Sequence, residues 1–186
     1  MSDLPTEENF SLKPFIAPVS GVEGVCGSVC LSDEALLVTY ILTGNISSIS
    51  VPLPQGPPIR RDALWKKTCF ECFMQCVGSE DYYEVNLSSG GGWNVYHFDA
   101  YRTGMTEEQG VLAVEATTST AVDQVVLQSR IPCPCLLKGD ASINVGVSCV
   151  LLHKTGALSY WALEHPGDKP DFHDPGSFRI QLDLNA

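Results

Sequence analysis

Short runs of β-branched and aromatic residues recur along almost the whole chain, each closed by Gly, Pro, Asn or Asp, and helical periodicity is hard to find. Many short strands at hairpin spacing, with no helices between them, favour two packed antiparallel sheets over an α/β arrangement. The fold predicted is an all-β antiparallel sandwich, immunoglobulin-like or jelly-roll, of about ten or eleven strands by pattern counting. A chain of 186 residues is long enough for a substantial core, and a single domain over residues 1–186 is expected, with 1–11 a loosely ordered N-terminal segment.

Val22 to Leu31 and Ala35 to Thr43 read as a hairpin around Ser32-Asp33-Glu34, with Leu36, Val38, Tyr40 and Leu42 on one face. Ile46 to Leu53 is predicted as another strand, ending in prolines that cannot donate to a ladder. Cys69 to Val77, Tyr82 to Leu87 and Trp93 to Asp99 then form a three-strand meander, followed by strands at Val111 to Thr118, Val125 to Ile131, Ile143 to Leu152, Leu158 to Leu163 and Phe178 to Leu184. In the last of these, Phe178, Ile180, Leu182 and Leu184 are expected inward. Brief helical turns are expected near Arg60 to Lys67 and Thr106 to Gln109.

Lysine plus arginine number 11 against 22 acidic residues, a formal charge of −11 that opposes docking on phosphate backbones or anionic lipid. Nucleic acid and membrane are therefore not expected partners. No basic segment followed by an apolar one opens the sequence, and no stretch is apolar enough to span a bilayer, so the expectation is a cytoplasmic protein. In that compartment the eight cysteines are predicted to be reduced thiols, mostly packed as small hydrophobes. Cys69, Cys72 and Cys76 do not suit one metal ion: on an extended strand Cys72 and Cys76 share a face about 13 Å apart, while Cys69 points away. Only a bent strand approached by Cys133 or Cys135 would change that, and no metal is expected.

Alternation along 69–77 places Phe70, Cys72 and Met74 on one face, with Cys69, Glu71, Phe73 and Gln75 on the other. Glu71 thus sits among apolar neighbours, where an isolated carboxylate is costly, so it needs a loop edge or a partner such as Arg102. Such a carboxylate can instead accept hydrogen bonds from ligand hydroxyls. Tyr82, Glu84 and Asn86 alternate with Tyr83, Val85 and Leu87 as a half-buried strand with one polar face. Trp93, Tyr101 and Arg102 accompany that face, and Trp65, Trp93 and Trp161 are the candidates for stacking on a sugar ring, although tryptophan is as often core. A second dense cluster, Tyr160-Trp161 through His165, Asp171 and His173, lies in a proline-restrained loop after a strand, where binding residues collect. These histidines could also simply fix the loop, since the segment has no metal-ligand spacing and no nucleophile motif.

Taken together, Leu64-Trp65, Thr68-Cys69-Phe70-Glu71, Tyr83-Glu84-Val85-Asn86, Trp93-Asn94, Tyr96-His97-Phe98, Tyr101-Arg102-Thr103-Gly104-Met105, Trp161-Ala162-Leu163 and Pro170-Asp171-Phe172-His173 resemble the bacterial DOMON-like proteins, relatives of family-9 carbohydrate-binding modules. The resemblance runs from about Leu12 to Leu184. It implies an immunoglobulin-like sandwich that binds sugar or haem and has no catalysis of its own. It places Trp65 and Glu71 at sugar-contacting positions, with Arg102 and Trp161 as the arginine and second aromatic. Against that resemblance, the chain is expected to stand alone without an export signal, and its cysteine content is high.

Function is accordingly expected to be non-enzymatic binding of a carbohydrate, with Trp65, Glu71, Arg102, Trp161, Trp93, His165, Asp171 and His173 as site residues and no cofactor. Three alternatives stand beside it. A haem-binding redox module would draw on Met74 or Met105 with His97, His165 or His173. A protein-interaction scaffold would use the acidic surface. A hydrolase would require Glu71 and Glu84 as paired carboxylates, which depends on their separation in space. The sequence leaves the oligomeric state open.

Overall fold

The computed structural model describes residues 7–16, 21–32, 35–133 and 142–183. Strands β1 (Glu7–Ser11), β3 (Val22–Leu31), β4 (Ala35–Gly44), β10 (Glu115–Thr120) and β11 (Gln124–Pro132) make one antiparallel sheet in the order β1-β3-β4-β11-β10. The second sheet runs β2 (Lys13–Pro14), β13 (Leu158–Ala162), β12 (Ser142–Leu152), β6 (Cys69–Cys76), β7 (Tyr82–Leu87), β8 (Gly92–Phe98) and β5 (Ile59–Arg60). Two short strands join its margins: β9 (Thr106–Glu107) pairs β8, and β14 (Ile180–Asp183) pairs the first half of β12. All pairings are antiparallel except β5 with β8.

The hairpin and the meander form as the alternation predicts. Leu36, Val38, Tyr40 and Leu42 of β4 are buried against Phe70, Cys72 and Met74 of β6 and Tyr83, Val85 and Leu87 of β7, in one core between the sheets. The outer face of the five-stranded sheet is open, and Leu37 and Ile41 on it are only partly covered. Residues 7–11 pair with β3 instead of lying loose, and residues 1–6 are outside the described part. So are Asp33, Glu34, Cys135 and Leu184.

Three expectations fail locally. Ile46 to Leu53 is not a strand: residues 46–48 form a 3-10 turn and only Ile49 makes a bridge, to His153. The prolines that follow remove the donors that a ladder would need. Thr106–Glu107 is a short strand rather than a helical turn, whereas Leu64–Lys66 is helical, as a 3-10 turn. Phe178 lies before β14, at the end of a third 3-10 turn over 175–177, so the strand alternation does not reach it and it faces away from the main core.

The nine-stranded sheet has a second covering on its outer face. There Phe73, Tyr82, Tyr96, Phe98, Val150, Phe172 and Phe178 pack into a smaller cluster, with Trp65 and Tyr160 at its rim. The chain after β13 folds back over this face, and Phe178 stacks on Phe73 at 5.5 Å. Gly146 of β12 makes that possible, because a Cβ there would lie 2.4 Å from the Phe178 ring. All six residues of β7 are consequently buried, where a half-solvated strand was expected.

Candidate functional site

Between this second cluster and the folded-back chain lies a recess of about 410 Å³. Its floor is sheet: Glu71 from β6, Glu84 from β7, Phe98 at the end of β8 and Val150 from β12. Its walls are Trp65 on one side, Arg102 and Met105 from the loop after β8, and Tyr160, Pro170, Phe172 and His173 from the C-terminal region. Strands thus fix the carboxylates, while the loops carry the rings and the cation.

Glu71 and Glu84 point to the same side because Phe73 pairs with Glu84 and Glu71 with Asn86, making the two glutamates diagonal neighbours on adjacent strands. Both are buried, at 3% and 5% exposure. Burial, then repulsion from Glu84, pushes the Glu71 carboxyl well above its ordinary range. Burial likewise raises Glu84 to about 7, opposed by the hydrogen bond that Asn86 Nδ2 donates to its Oε1 at 2.9 Å. Ser148 and Cys69 lie beside Glu71 and favour its ionised form, yet neither completes a hydrogen bond to Oε1, which is buried without a partner.

Arg102 is not the partner of Glu71. Its Nη2 donates to Asp171 Oδ1 at 2.7 Å, and the Tyr101 hydroxyl donates to the other Asp171 oxygen. Asp171 also accepts the His173 backbone N–H at 3.1 Å, so one carboxylate ties the loop after β8 to the C-terminal segment. The Tyr82 hydroxyl accepts the Arg102 backbone N–H at 3.2 Å, which frees its own proton for His173 Nδ1 at 2.8 Å. The ring proton of His173 then falls on Nε2, 3.9 Å from Glu84 Oε2. Burial, and after it the Arg102 charge, holds His173 down to about 4, so it is neutral at physiological pH.

Arg102 adopts φ 52°, and Ala63, two residues before Trp65, adopts φ 58°. Among the described residues these are the two non-glycine positions in the left-handed region, and both flank the recess. Asp62 supports the second: its Oδ1 accepts the Ala63 N–H at 2.7 Å and the Tyr96 hydroxyl at 2.6 Å. The Trp65 ring meets Tyr96 edge-on at 5.6 Å and leaves the indole half-buried at the mouth.

Of the residues predicted for the site, Trp65, Glu71, Arg102 and His173 line the recess, and Asp171 positions two of them. The other three lie elsewhere. Trp161 is buried in the core between the sheets, its indole N–H donating to Ser159 Oγ at 3.1 Å. The neighbouring Tyr160, on the other side of the same strand, takes the place at the recess. Trp93 also faces the core, with the Arg60 guanidinium 4.4 Å over its ring. His165 Nε2 is bound to the Lys13 carbonyl at 2.9 Å and fixes the edge strand β2. Tyr160, Phe172 and Phe98 were missed as wall and floor residues. The cluster around Tyr160 and Phe172 carried the signal, but it could not tell which of Tyr160 and Trp161 turns toward the recess.

The iron-ligand set is dispersed. Met74 is enclosed in the core, His97 sits 3.0 Å from Asp81, and His165 is engaged with Lys13. Met105 and His173 do share the recess, but both His173 ring nitrogens face protein groups, so the donor set fits haem poorly. Cys72 and Cys76 are in the core and Cys69 faces the other way, its thiol donating to Asn86 Oδ1 at 3.1 Å. Among the described residues no group of three or more His, Cys, Asp or Glu could hold a metal ion. A shallower groove of about 360 Å³ crosses the open face of the five-stranded sheet, but Glu7 and Glu115 in it are solvated and no buried carboxylate faces it.

Solved structures share this architecture. One, from Bacteroides uniformis, is described as a "putative carbohydrate-binding protein"; it matches with a TM-score of 0.64 at 17% identity, over 95% of this chain and 85% of that one. A family-9 carbohydrate-binding module from Caldicellulosiruptor kristjanssonii in complex with cellotriose matches with a TM-score of 0.57 at 11% identity, over 95% and 81%. The same kind of module in complex with glucose gives 0.51 at 12%, over 90% and 78%. The likeness is one of fold. No protein-family model matches the chain, and no curated protein sequence matches it.

Proposed function

We propose that this protein is a non-enzymatic carbohydrate-binding sandwich whose ligand occupies the recess over β6 and β7. The observation that carries the reading is the meeting of a half-buried tryptophan, further aromatic rings, two buried carboxyls and a held arginine in one recess of about 410 Å³. A sugar ring offers C–H faces to Trp65, Tyr160 and Phe172, and its hydroxyls need donors and acceptors of the kind Arg102, Glu71 and Glu84 present. Support comes from the neighbouring folds, two of which are modules complexed with cellotriose and glucose. The finer kinship with DOMON-like proteins belongs to this proposal. So does an intracellular setting, with which the unbridged thiols of Cys26, Cys30, Cys69, Cys72 and Cys149 agree.

Hydrolysis is the weaker reading of the same carboxyls. Glycosidase acid and base flank the scissile bond, whereas Glu71 and Glu84 stand side by side on one sheet face and meet a ligand from the same side.

The test is a thermal-shift and calorimetric screen of the purified protein against mono- and oligosaccharides, since a ligand selective for the native state raises its apparent stability. Trp65→Ala should weaken a detected saccharide by roughly tenfold or more, the scale of one lost aromatic contact in a recess. An unchanged affinity in a folded variant would place the ligand elsewhere.

A further inference from the structure

Resting on the saccharide reading, we propose that the recess selects an amino sugar, a hexosamine whose protonated amino substituent is set against Glu71 and Glu84. Charge counting leads there. Among the described residues, three carboxyls, Glu71, Glu84 and Asp171, surround the recess and its wall, against one cation, Arg102, which is bound to Asp171 at 2.7 Å and only opposes the upward shift of Glu84. His173 is neutral, and the other titratable groups near the two glutamates are the thiols of Cys69 and Cys149 and the phenols of Tyr40 and Tyr82, none of them cationic. Among the described residues no lysine lines the recess.

Geometry singles out the place where a cationic donor would pair. Glu71 Oε1 is buried with no hydrogen-bond partner, although the residue is only 3% exposed and belongs to the recess floor. An unsatisfied buried carboxyl costs free energy that a neutral hydroxyl only partly returns, whereas an ammonium brings three donors and the compensating charge. The rings of Trp65, Phe98, Tyr160 and Phe172 around it are the surroundings in which a cation is further stabilised by ring quadrupoles. Hydroxyls on the remaining sugar carbons would meet Arg102. Burial holds the two carboxyls toward their protonated forms, so an incoming ammonium displaces a proton to solvent and ion-pairs with the carboxylate left behind.

Isothermal titration of the full chain with glucose, glucosamine, N-acetylglucosamine and cyclohexylamine tests this, run at about pH 6.5 in two buffers of different ionisation enthalpy. Glucosamine should bind roughly tenfold or more tightly than glucose and N-acetylglucosamine, the scale of one charge-assisted contact. Its binding should release protons, and its affinity should rise with pH until the amine itself deprotonates. Glu71→Gln and, separately, Glu84→Gln should bring the glucosamine-to-glucose ratio toward one, with folding checked by circular dichroism. Measurable glucose binding with no preference for glucosamine overturns the amine assignment and leaves the saccharide reading standing. Cyclohexylamine binding as tightly as glucosamine overturns the sugar part of it, and silence from all three sugars overturns both readings.

Discussion

At the scale of single residues, the unusual groups are the two glutamates, and their energetics make a prediction about pH that needs no ligand. Glu84 titrates at about 7 in the fold against an ordinary 4.5, so between those values the native state keeps a proton that the unfolded chain has released. Stability contributed by this group is therefore present below about 4.5 and lost as pH rises toward about 7; Glu71, also raised, acts in the same direction. His173 runs the other way: its value of about 4 lies below the ordinary 6.5, so its contribution grows as pH rises across that span. Glu84→Gln removes one of these opposing effects. The variant should gain on the wild type by on the order of 2 kcal/mol between about pH 5 and pH 8, measured by urea unfolding. A difference independent of pH would show that Glu84 ionises freely. Glu71 itself was legible in the sequence, because a carboxylate between Phe70 and Phe73 on a period-two pattern has to face a special environment. Its expected partner was not, since Arg102 pairs with Asp171, 69 residues away, and nothing local announces that contact.

At the scale of elements, the recess exists because the nine-stranded sheet is covered on both faces. Its second covering depends on β12 having no side chain at Gly146, where Phe178 comes down to stack on Phe73. Gly146→Ala should push Phe178 off this position and destabilise the fold by about 1–3 kcal/mol, the usual scale for overpacking. Because Phe178 also lies against Tyr82, which holds His173 and the Arg102 backbone, saccharide affinity should fall as well. Destabilisation with unchanged affinity would mean that the recess wall does not lean on this stack. The double covering also explains where strand patterns could be read and where they could not. The β3–β4 hairpin and the β6–β8 meander follow from alternation on their core faces. On β13 the same alternation was visible, but Tyr160 and Trp161 are both large aromatics, and with apolar environments on both sides hydrophobicity cannot say which ring faces the core.

At the scale of the whole molecule, the two sheets do different work. The five-stranded sheet contributes one face to the core and leaves the other open, so its edge strands β1 and β10 carry few layers of protection. Strands β6, β7 and β12 lie inside the wider sheet with packing above and below, and β6 and β7 hold the two buried carboxyls of the recess. Local stability should be graded accordingly: amide exchange slowest in β6, β7 and β12, fastest at β1 and β10. Ligand binding should then act where the walls are loops. The Asp171 carboxylate already joins the loop after β8 to the C-terminal segment, and a saccharide bridging Arg102, Phe172 and Trp65 would tighten that junction further. Exchange measured with and without a bound saccharide should slow around residues 63–66, 101–105 and 170–173, leaving β1 and β10 unchanged. Protection appearing instead across β1, β3, β4 and β11 would move the site to the groove on the open sheet, where Arg130, Gln128 and Thr39 would be the contacts.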